Sequence, residues 1–332
     1  MGYDKDGVLG GVTSGAFRQE PWHGYGESRN AKGELVGVKR PIPDSIRTGR
    51  ELLVTAGLDW EAKQENLSTL IPNIGADDYS VVTRGDTGRI LGIHSDRYGL
   101  VQHSVLGDYA QAIMDTRQDA FPVSAVELWN GKVVFIVLEF SDEVKVVRKD
   151  GDSTDTMTRY MGLYTSHDGS HPVAVKFMST LWVCQNTFTP WNAHTGFTVK
   201  HTSNASDIAK DATEALRLMT ASFATFDEEV ARLLAIPADK RTMTDGVLPR
   251  LFGKRPSDEG RGQTLYDNKW DEVLAEWTEA TRQESAWDCV MAVQGYEQHR
   301  SHIRNTTRDM ASVNRLLRDD FPMTRKAHAL FV

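Results

Sequence analysis

The stretch Arg159–Thr202 decides the fold, and it reads RYMGLYTSHDGSHPVAVKFMSTLWVCQNTFTPWNAHTGFTVKHT. Three of its segments are rich in β-branched and aromatic residues and predict strands: Tyr160–Thr165, Val173–Thr187 and Phe197–Thr202. Between the first two lies Ser166–Ser170, whose Ser, Asp and Gly residues are typical of a tight turn. The second segment is apolar over most of its length, so it predicts a central strand buried on both faces.

A helical period replaces the strand pattern after Thr202. Apolar residues recur at alternating steps of four and three, which indicates one continuous helical seam. The seam consists of Ala212, Leu216, Met219, Phe223, Phe226, Val230 and Leu233. With Ser206 as N-cap, Asp207 in the first turn and Pro237 past the end, we expect a helix of about 30 residues, roughly 45 Å long. Such a helix either crosses the back of a sheet or pairs with another helix.

Two hairpins are predicted upstream of this stretch. Asp78–Thr83 and Arg89–His94 alternate on either side of a Gly-containing loop. Ala125–Trp129 and Lys132–Phe140 flank Asn130-Gly131, the dipeptide that most favours a two-residue hairpin turn.

Helical spacing appears in five further segments. Ser45–Ala56 and Val105–Met114 precede the central stretch, and Thr244–Leu251, Thr264–His302 and Met310–Leu317 follow the long helix. The sequence therefore predicts an α+β fold, with an antiparallel, mostly meandering sheet from about 78 to 202, backed by a long helix and followed by a helical C-terminal part. We expect a flexible segment over 1–20, a core domain over 21–236 and a helical region over 237–332.

Composition narrows the class of protein. The chain has 332 residues, of which 40% are apolar and 25% charged, as in ordinary globular proteins. Its net charge of −8 argues mildly against a nucleic-acid footprint that dominates the surface, although a basic groove can coexist with an acidic exterior. Two cysteines are too few for a disulfide framework and suit a reducing compartment. The sequence begins with no secretory pattern and has no apolar run of membrane-spanning length, so we expect a cytoplasmic protein without membrane contact.

Several short stretches, in a fixed order, carry a family resemblance, and we refer to them as the landmarks. They are Trp22–Gly26, Ala56–Trp60, Arg84–Gly88, Asp96–Tyr98 with Val101-Gln102, Ser166–Ser170, Cys184–Thr187, His201-Thr202, Ser285–Trp287 and Tyr296–His299. Over roughly residues 20 to 305 the chain resembles the phage/plasmid-like protein family, domain of unknown function 932. Members often have Leu where this chain has Tyr25. The resemblance implies a mobile-element origin and the host cytoplasm, and it implies no activity.

Three kinds of enzyme site were weighed. A thiol hydrolase would use Cys184 with His201 and Asn186, but Cys184 lies in the most apolar segment, where a thiol is usually inert core. Val8–Gly15 is rich in glycine, yet it lacks the Lys-Ser/Thr ending of a phosphate-binding loop, so no nucleotide cofactor is expected.

A metal site is the third possibility. It would draw on His167, Asp168, His171 and His201. His167 and His171 are separated by a Gly-containing turn, so the helical spacing that places two imidazoles on one face is absent. Turn formation explains these residues better, and no metal is expected.

Basic and aromatic residues are interleaved in and beside the predicted sheet, a pattern that suits single-stranded nucleic acid. The candidate nucleic-acid-binding residues are Arg97, Tyr98, Lys145, Arg148, Arg159, Tyr160, Lys176, Trp182, Lys200 and His201. The alternative is that they form ordinary solvated strand faces with core aromatics.

Three functional hypotheses follow. The first is a phage-encoded, cofactor-free protein that binds single-stranded DNA and assists annealing or recombination as a homo-oligomer. The order of short helix, hairpins and long helix resembles single-strand annealing proteins such as phage Red-beta, a likeness of fold only. The second is a phage protein-binding effector that interferes with a host process. The third is an enzyme centred on His167, Asp168 and His201.

Overall fold

The computed structural model describes residues 9–13, 26–29, 35–43, 46–72, 75–147, 154–181, 187–188, 196–198, 205–257, 259–280, 283–302, 315–318 and 320–332. Its strands are β1 Leu9–Thr13, β2 Gly26–Arg29, β3 Leu35–Pro41, β4 Ala62–Asn66, β5 Tyr79–Arg84, β6 Ile90–Ser95, β7 Ala120–Leu128, β8 Val133–Val147, β9 Thr154–Ser166, β10 Ala174–Leu181, β11 Thr187–Phe188 and β12 Gly196–Thr198. Its helices are α1 Gly49–Ala56, α2 Leu67–Leu70, α3 Ser104–Thr116, α4 Ala205–Ala235, α5 Leu248–Phe252, α6 Arg261–Ala280, α7 Ala286–Gly295 and α8 Pro322–His328. Two π-helical segments, Thr242–Val247 and Tyr296–Arg300, precede α5 and follow α7.

The strands form two sheets, and the predicted α+β class is confirmed. The larger sheet has the order β11-β10-β9-β8-β7-β1-β3-β2, with β12 paired to β10. Strand β1 runs antiparallel to β7 and parallel to β3. The smaller sheet is antiparallel, in the order β4-β5-β6. The expectation of one sheet from about 78 to 202 was wrong in one respect, because the hairpin β5–β6 pairs with β4 instead of joining the larger sheet.

The β7–β8 hairpin is confirmed, and its turn depends on left-handed backbone. Trp129, Asn130 and Gly131 have φ values of 52°, 59° and 89°. A Cβ on Gly131 would lie 2.6 Å from Cζ2 of Trp60. Glycine is therefore required here both for its backbone conformation and for the approach of the indole ring.

Helix α4 confirms the long helix, with 31 residues. All seven seam residues named from the sequence are buried. The expected N-cap was wrong, since the helix begins at Ala205 and Ser206 lies inside its first turn.

The predicted helix Thr264–His302 is two helices. Ser285 caps α7 through a capping box with Asp288, and Glu284 before it has a φ of 52°. The capping box starts α7 as a separate helix, after α6 has ended at Ala280. Every residue of α7 is buried, which is why its sequence shows no polar face.

The chain divides into two units. Unit 1 comprises Met1–Ser141, Tyr160–Phe177 and Gly196–Thr220, and unit 2 comprises Asp142–Arg159, Met178–Thr195 and Ala221–Val332. Strands β8, β9 and β10 and helix α4 each contribute residues to both units. The expected domain boundary at residue 236 stays a prediction. Leu9–Thr13, within the segment predicted to be flexible, forms strand β1.

Two helices of unit 1 cross at a pair of glycines. A Cβ on Gly49 of α1 would lie 1.9 Å from the carbonyl oxygen of Gly107 in α3. Gly49 N–H also donates to Oε1 of Gln111 at 3.0 Å, and Tyr109 of α3 donates from its hydroxyl to Asp211 of α4 at 2.9 Å. The position of α3 therefore depends on backbone contact that only glycine permits.

We expect Gly49→Ala to lower the free energy of unfolding by roughly 2–3 kcal/mol, because the added methyl group collides with backbone rather than with a movable side chain. Gly262→Ala is the matched control. It lies in the first turn of α6 with nothing within 4 Å of its Cβ, so it should be neutral or stabilising by up to about 1 kcal/mol. Urea denaturation of both variants checks this, and equal midpoints would contradict the crossing as described.

Candidate functional site

The turn between β9 and β10 is held by its own side chains. Ser166 donates from Oγ to the carbonyl of His171 at 2.7 Å and accepts from His171 N–H at 2.9 Å. Asp168 accepts from Ser170 N–H at 2.9 Å, and Gly169 has a φ of 73°. The interpretation of these residues as turn formers therefore agrees with their contacts.

A buried pair of imidazoles joins this turn to helix α3. Nε2 of His103 lies 2.8 Å from the carbonyl oxygen of Leu58, and Nδ1 of His103 lies 3.1 Å from Nε2 of His167. A carbonyl oxygen only accepts, so Nε2 of His103 carries a proton and its Nδ1 accepts from His167. This assignment leaves a lone pair on Nδ1 of His167, a buried atom without a hydrogen-bond partner.

Both imidazoles are neutral near pH 7. Burial lowers the pKa of His103 to about 4, with a further lowering from the charge of Arg84. Burial also lowers the pKa of His167 to about 3, assisted by the neighbouring His103 and His94. With both rings neutral, His167 donates and His103 accepts, so the buried pair carries no charge.

Trp60 connects the imidazole pair to an ion network. Its ring centroid lies 4.2 Å from that of His103, and the guanidinium of Arg84 lies 4.4 Å from the Trp60 ring. Arg84 binds Glu127 of β7 at 2.5 Å and Asp86 at 2.7 Å. Burial raises the pKa of Glu127, and Arg84 opposes that rise. Removal of Arg84 would therefore leave a desolvated carboxylate.

Strand β6 lies directly against the same turn. His94 donates from Nε2 to the carbonyl of His167 at 3.0 Å and stacks on Tyr98 with ring centroids 3.8 Å apart. The Tyr98 hydroxyl donates to the carbonyl of Ser166 at 3.2 Å. A Cβ on Gly92 would lie 2.9 Å from both Cα of Asp168 and the carbonyl oxygen of His167. We call this set the histidine junction: Trp60, Arg84, His94, Tyr98, His103, Glu127 and the turn Ser166–His171.

The outer face of the small sheet is the second feature of unit 1. Val81 pairs with Ile93, Tyr79 with Ser95 and Thr83 with Ile90, so these side chains share one face. Tyr79, Ile90 and Ile93 are 51%, 55% and 52% exposed, whereas Val81 on the same face is 1% exposed. Leu70 and Ile71 nearby in sequence are also exposed, so this short stretch holds five of the ten exposed large hydrophobic residues in the described parts of the chain. We call Tyr79, Ile90 and Ile93 the exposed apolar face.

The residues proposed to bind nucleic acid have different surroundings in the described ranges. Arg97 is exposed beside the half-buried Tyr98. In unit 2, Arg159 binds Asp227, and its guanidinium lies 4.9 Å from the Phe223 ring.

Tyr160 and Lys176 are 0% and 3% exposed, and a buried side chain does not present itself to a base or a phosphate. Lys145 lies on β8. The candidates Arg148, Trp182, Lys200 and His201, like Cys184, lie outside the described residues.

The enzyme hypothesis placed its centre at His167, Asp168 and His201. His167 is a member of the buried imidazole pair and Asp168 holds the turn, while His201 is not among the described residues. The described residues contain no group of three or more His, Cys, Asp or Glu placed to hold a metal ion. Nor do they contain a helix long and apolar enough to cross a bilayer.

Sequence reasoning missed His94, His103 and Glu127. Each lies far along the chain from its partner, since His94 and His167 are 73 positions apart and His103 and His167 are 64 positions apart. Trp60 and Arg84 were named only as landmarks. No local pattern brings these residues together, so the landmarks were the only available signal.

Fold and site define an α+β protein in which the histidine junction packs against the small sheet of unit 1. A family model, described as a domain of unknown function (DUF932), matches residues 90–318. The chain belongs to this family. No curated protein and no solved structure matches it. Phage or plasmid origin and the likeness to annealing proteins stay predictions.

Four landmarks meet at the junction: Ala56–Trp60, Arg84–Gly88, Asp96–Tyr98 with Val101-Gln102, and Ser166–Ser170. Gln102 also binds this region. Its side-chain N–H donates to the carbonyl of Ala62 at 2.8 Å, and its Oε1 accepts from Ala62 N–H at 2.9 Å. Four of the nine stretches that carried the resemblance therefore meet at one spatial site in unit 1.

We expect the free energy of unfolding to fall as the pH drops from about 6.5 toward 4. The unfolded imidazoles take up protons in this range, while the pKa values of about 4 and 3 keep folded His103 and His167 neutral. Each of these two histidines lowers the free energy of unfolding by roughly 2–3 kcal/mol by pH ~4.5.

The check is urea denaturation at several pH values. His103→Gln should be less stable at pH 7 yet show a shallower loss on acidification. His302→Gln, at an exposed histidine, should keep the wild-type slope. An unchanged slope in His103→Gln would refute the buried neutral pair.

Proposed function

We propose that the protein binds a partner protein through the exposed apolar face of its small sheet. The observation that carries this proposal is the exposure, by about half, of Tyr79, Ile90 and Ile93 on one face of two paired strands, β5 and β6. Soluble proteins rarely expose neighbouring large apolar side chains on a regular element unless the surface binds something. Aromatic and aliphatic residues at the centre of a patch are also the usual composition of a protein interface.

The histidine junction supports this role because it holds the exposed apolar face in one conformation. Strand β6 carries Ile90 and Ile93 outward, while its Gly92 and His94 contact the turn from the other side. A surface that is already ordered loses little conformational entropy on binding. The junction therefore acts as a support for the face and not as the binding surface itself.

The charges around the face select among partners. Asp77, Asp78 and Asp96 lie at the end of the sheet where Tyr79 is exposed, and Asp96 N–H donates to the carbonyl of Asp78 at 2.8 Å. Exposed basic residues lie at the opposite end of the sheet, where Lys63 pairs with Thr83 and Arg89 precedes Ile90. A partner with an apolar centre and with basic residues facing Asp77, Asp78 and Asp96 would meet complementary charge at that end.

We expect Ile93→Asp to weaken partner binding at least tenfold, or about 1.4 kcal/mol, because it places a charge at the centre of the interface. A photo-crosslinking residue at Tyr79 would first capture the partner from host extract. The purified partner would then be titrated by calorimetry against the wild type, Ile93→Asp and Leu265→Asp.

Leu265 is the matched control, an aliphatic residue 50% exposed on α6 of unit 2. Its variant should bind like the wild type. Equal affinity for Ile93→Asp and the wild type would contradict the proposal, and so would self-association through the face in sedimentation experiments.

Single-stranded DNA is the second candidate, and a different observation favours it. Arg97 is exposed next to the stacked rings of His94 and Tyr98, and basic groups beside aromatic rings are what single strands bind. Among the candidate nucleic-acid-binding residues with described side chains, this second proposal relies on Arg97 and Tyr98. Cofactor-free annealing as an oligomer is the corresponding activity.

We expect a labelled single-stranded oligonucleotide to bind at low salt and to dissociate steeply as salt rises, if this second candidate is correct. Arg97→Ala should weaken binding and reduce the salt slope by about one. Lys326→Ala, at an exposed lysine of α8, is the control. Absence of binding at low salt would exclude the DNA candidate.

A further inference from the structure

A small pocket opens between α1, α3 and the segment before β4 in unit 1. Its volume is about 270 Å³, below the ~300–1,000 Å³ typical of pockets for drug-sized ligands. Leu53, Leu58 and Trp60 line it and are 5%, 1% and 8% exposed, so they supply an apolar floor. The pocket is therefore sized for one side chain rather than for a cofactor.

The rim of the pocket is mostly acidic. Asp59, Glu61 and Asp108 contribute three exposed carboxylates, and Arg50 is the one cationic residue in the lining. Burial raises the pKa of Asp108, and the charge of Arg50 opposes that rise. A partly desolvated carboxylate gains more from an arriving cation than one in open water does.

The floor is rigid. Trp60 is held by Arg84 and His103, and a Cβ on Gly107 would lie 2.8 Å from Cδ1 of Leu53. The pocket is thus formed before any ligand arrives, with an indole ring among its floor residues.

We propose that this pocket binds the cationic side chain of a lysine or arginine from a partner protein. The aliphatic stem of either side chain packs on the apolar floor, and the charged head reaches the rim carboxylates. Charge complementarity selects this occupant over an acidic or neutral one. The site is separate from the exposed apolar face, and its argument does not depend on that face.

Three small molecules test the proposal on the full chain: N-acetyl-arginine methylamide, the lysine analogue, and the citrulline analogue, which has arginine's shape without its charge. The readout is the indole N–H resonance of Trp60, assigned from Trp60→Phe. We expect saturable shifts with arginine and lysine at millimolar concentration and none with citrulline. A shift that is equal for citrulline, or no shift with any of the three, would overturn the proposal.

Two variants make the test specific. Asp108→Asn should weaken arginine binding at least threefold. Asp271→Asn, which removes a carboxylate from a shallow depression of unit 2, should leave it unchanged. Ile93→Asp should also leave it unchanged, so failure of this pocket and failure of the proposed protein-binding face give different results. Equal binding by Asp108→Asn and the wild type would assign the shifts to another surface.

Discussion

The hydrogen bond between His103 and His167 is the contact on which unit 1 depends. It joins the start of α3 to the turn after β9, and through Leu58 it also fixes the segment that leads into β4. Such a bond contributes only about 1 kcal/mol net, but a buried donor or acceptor left without its partner costs about 1–3 kcal/mol. Loss of one ring would therefore also destabilise the groups that remain.

The neutrality of these rings explains the arrangement around them. The two imidazoles are neutral near pH 7 because burial beside Trp60 and the turn disfavours a charge on either ring. Arg84, whose charge lowers the pKa of His103, is compensated by Glu127 and Asp86. The junction thus has two parts. A neutral pair of imidazoles contacts the turn, and an ion network in which Arg84 meets two carboxylates lies on the other side of Trp60.

Local structure could be predicted from the sequence wherever one face of an element is buried. The α4 seam and the hairpins β5–β6 and β7–β8 are examples, because period and turn chemistry are local properties. Strand β1 could not be predicted, since Leu9–Thr13 contains two adjacent glycines and no alternation, and its pairing is set by distant strands. The break before α7 had a local signal in Ser285 and Asp288, which the apolar run around them obscured.

The candidate site could be predicted only in part, for a related reason. Tyr160 and Lys176 have the composition of a binding surface, yet both are buried, and a strand covered on both faces gives no alternation that would reveal this. Trp60, Arg84 and the turn Ser166–Ser170 were visible as separate stretches, but their meeting point is a tertiary property.

The position of the junction also bears on what unit 1 can do. Its histidines form hydrogen bonds with each other, with Leu58 and with the turn backbone, so they hold segments of unit 1 in position and take no part in chemistry. The surfaces they support differ in kind, since one is an exposed apolar face and the other a pocket with an acidic rim. Both present apolar atoms next to carboxylates, and that pairing favours a ligand with long, positively charged side chains. A single strand of DNA is negatively charged, like the carboxylates of both surfaces. Its binding would therefore depend on Arg97 and the ring of Tyr98 rather than on either of these surfaces.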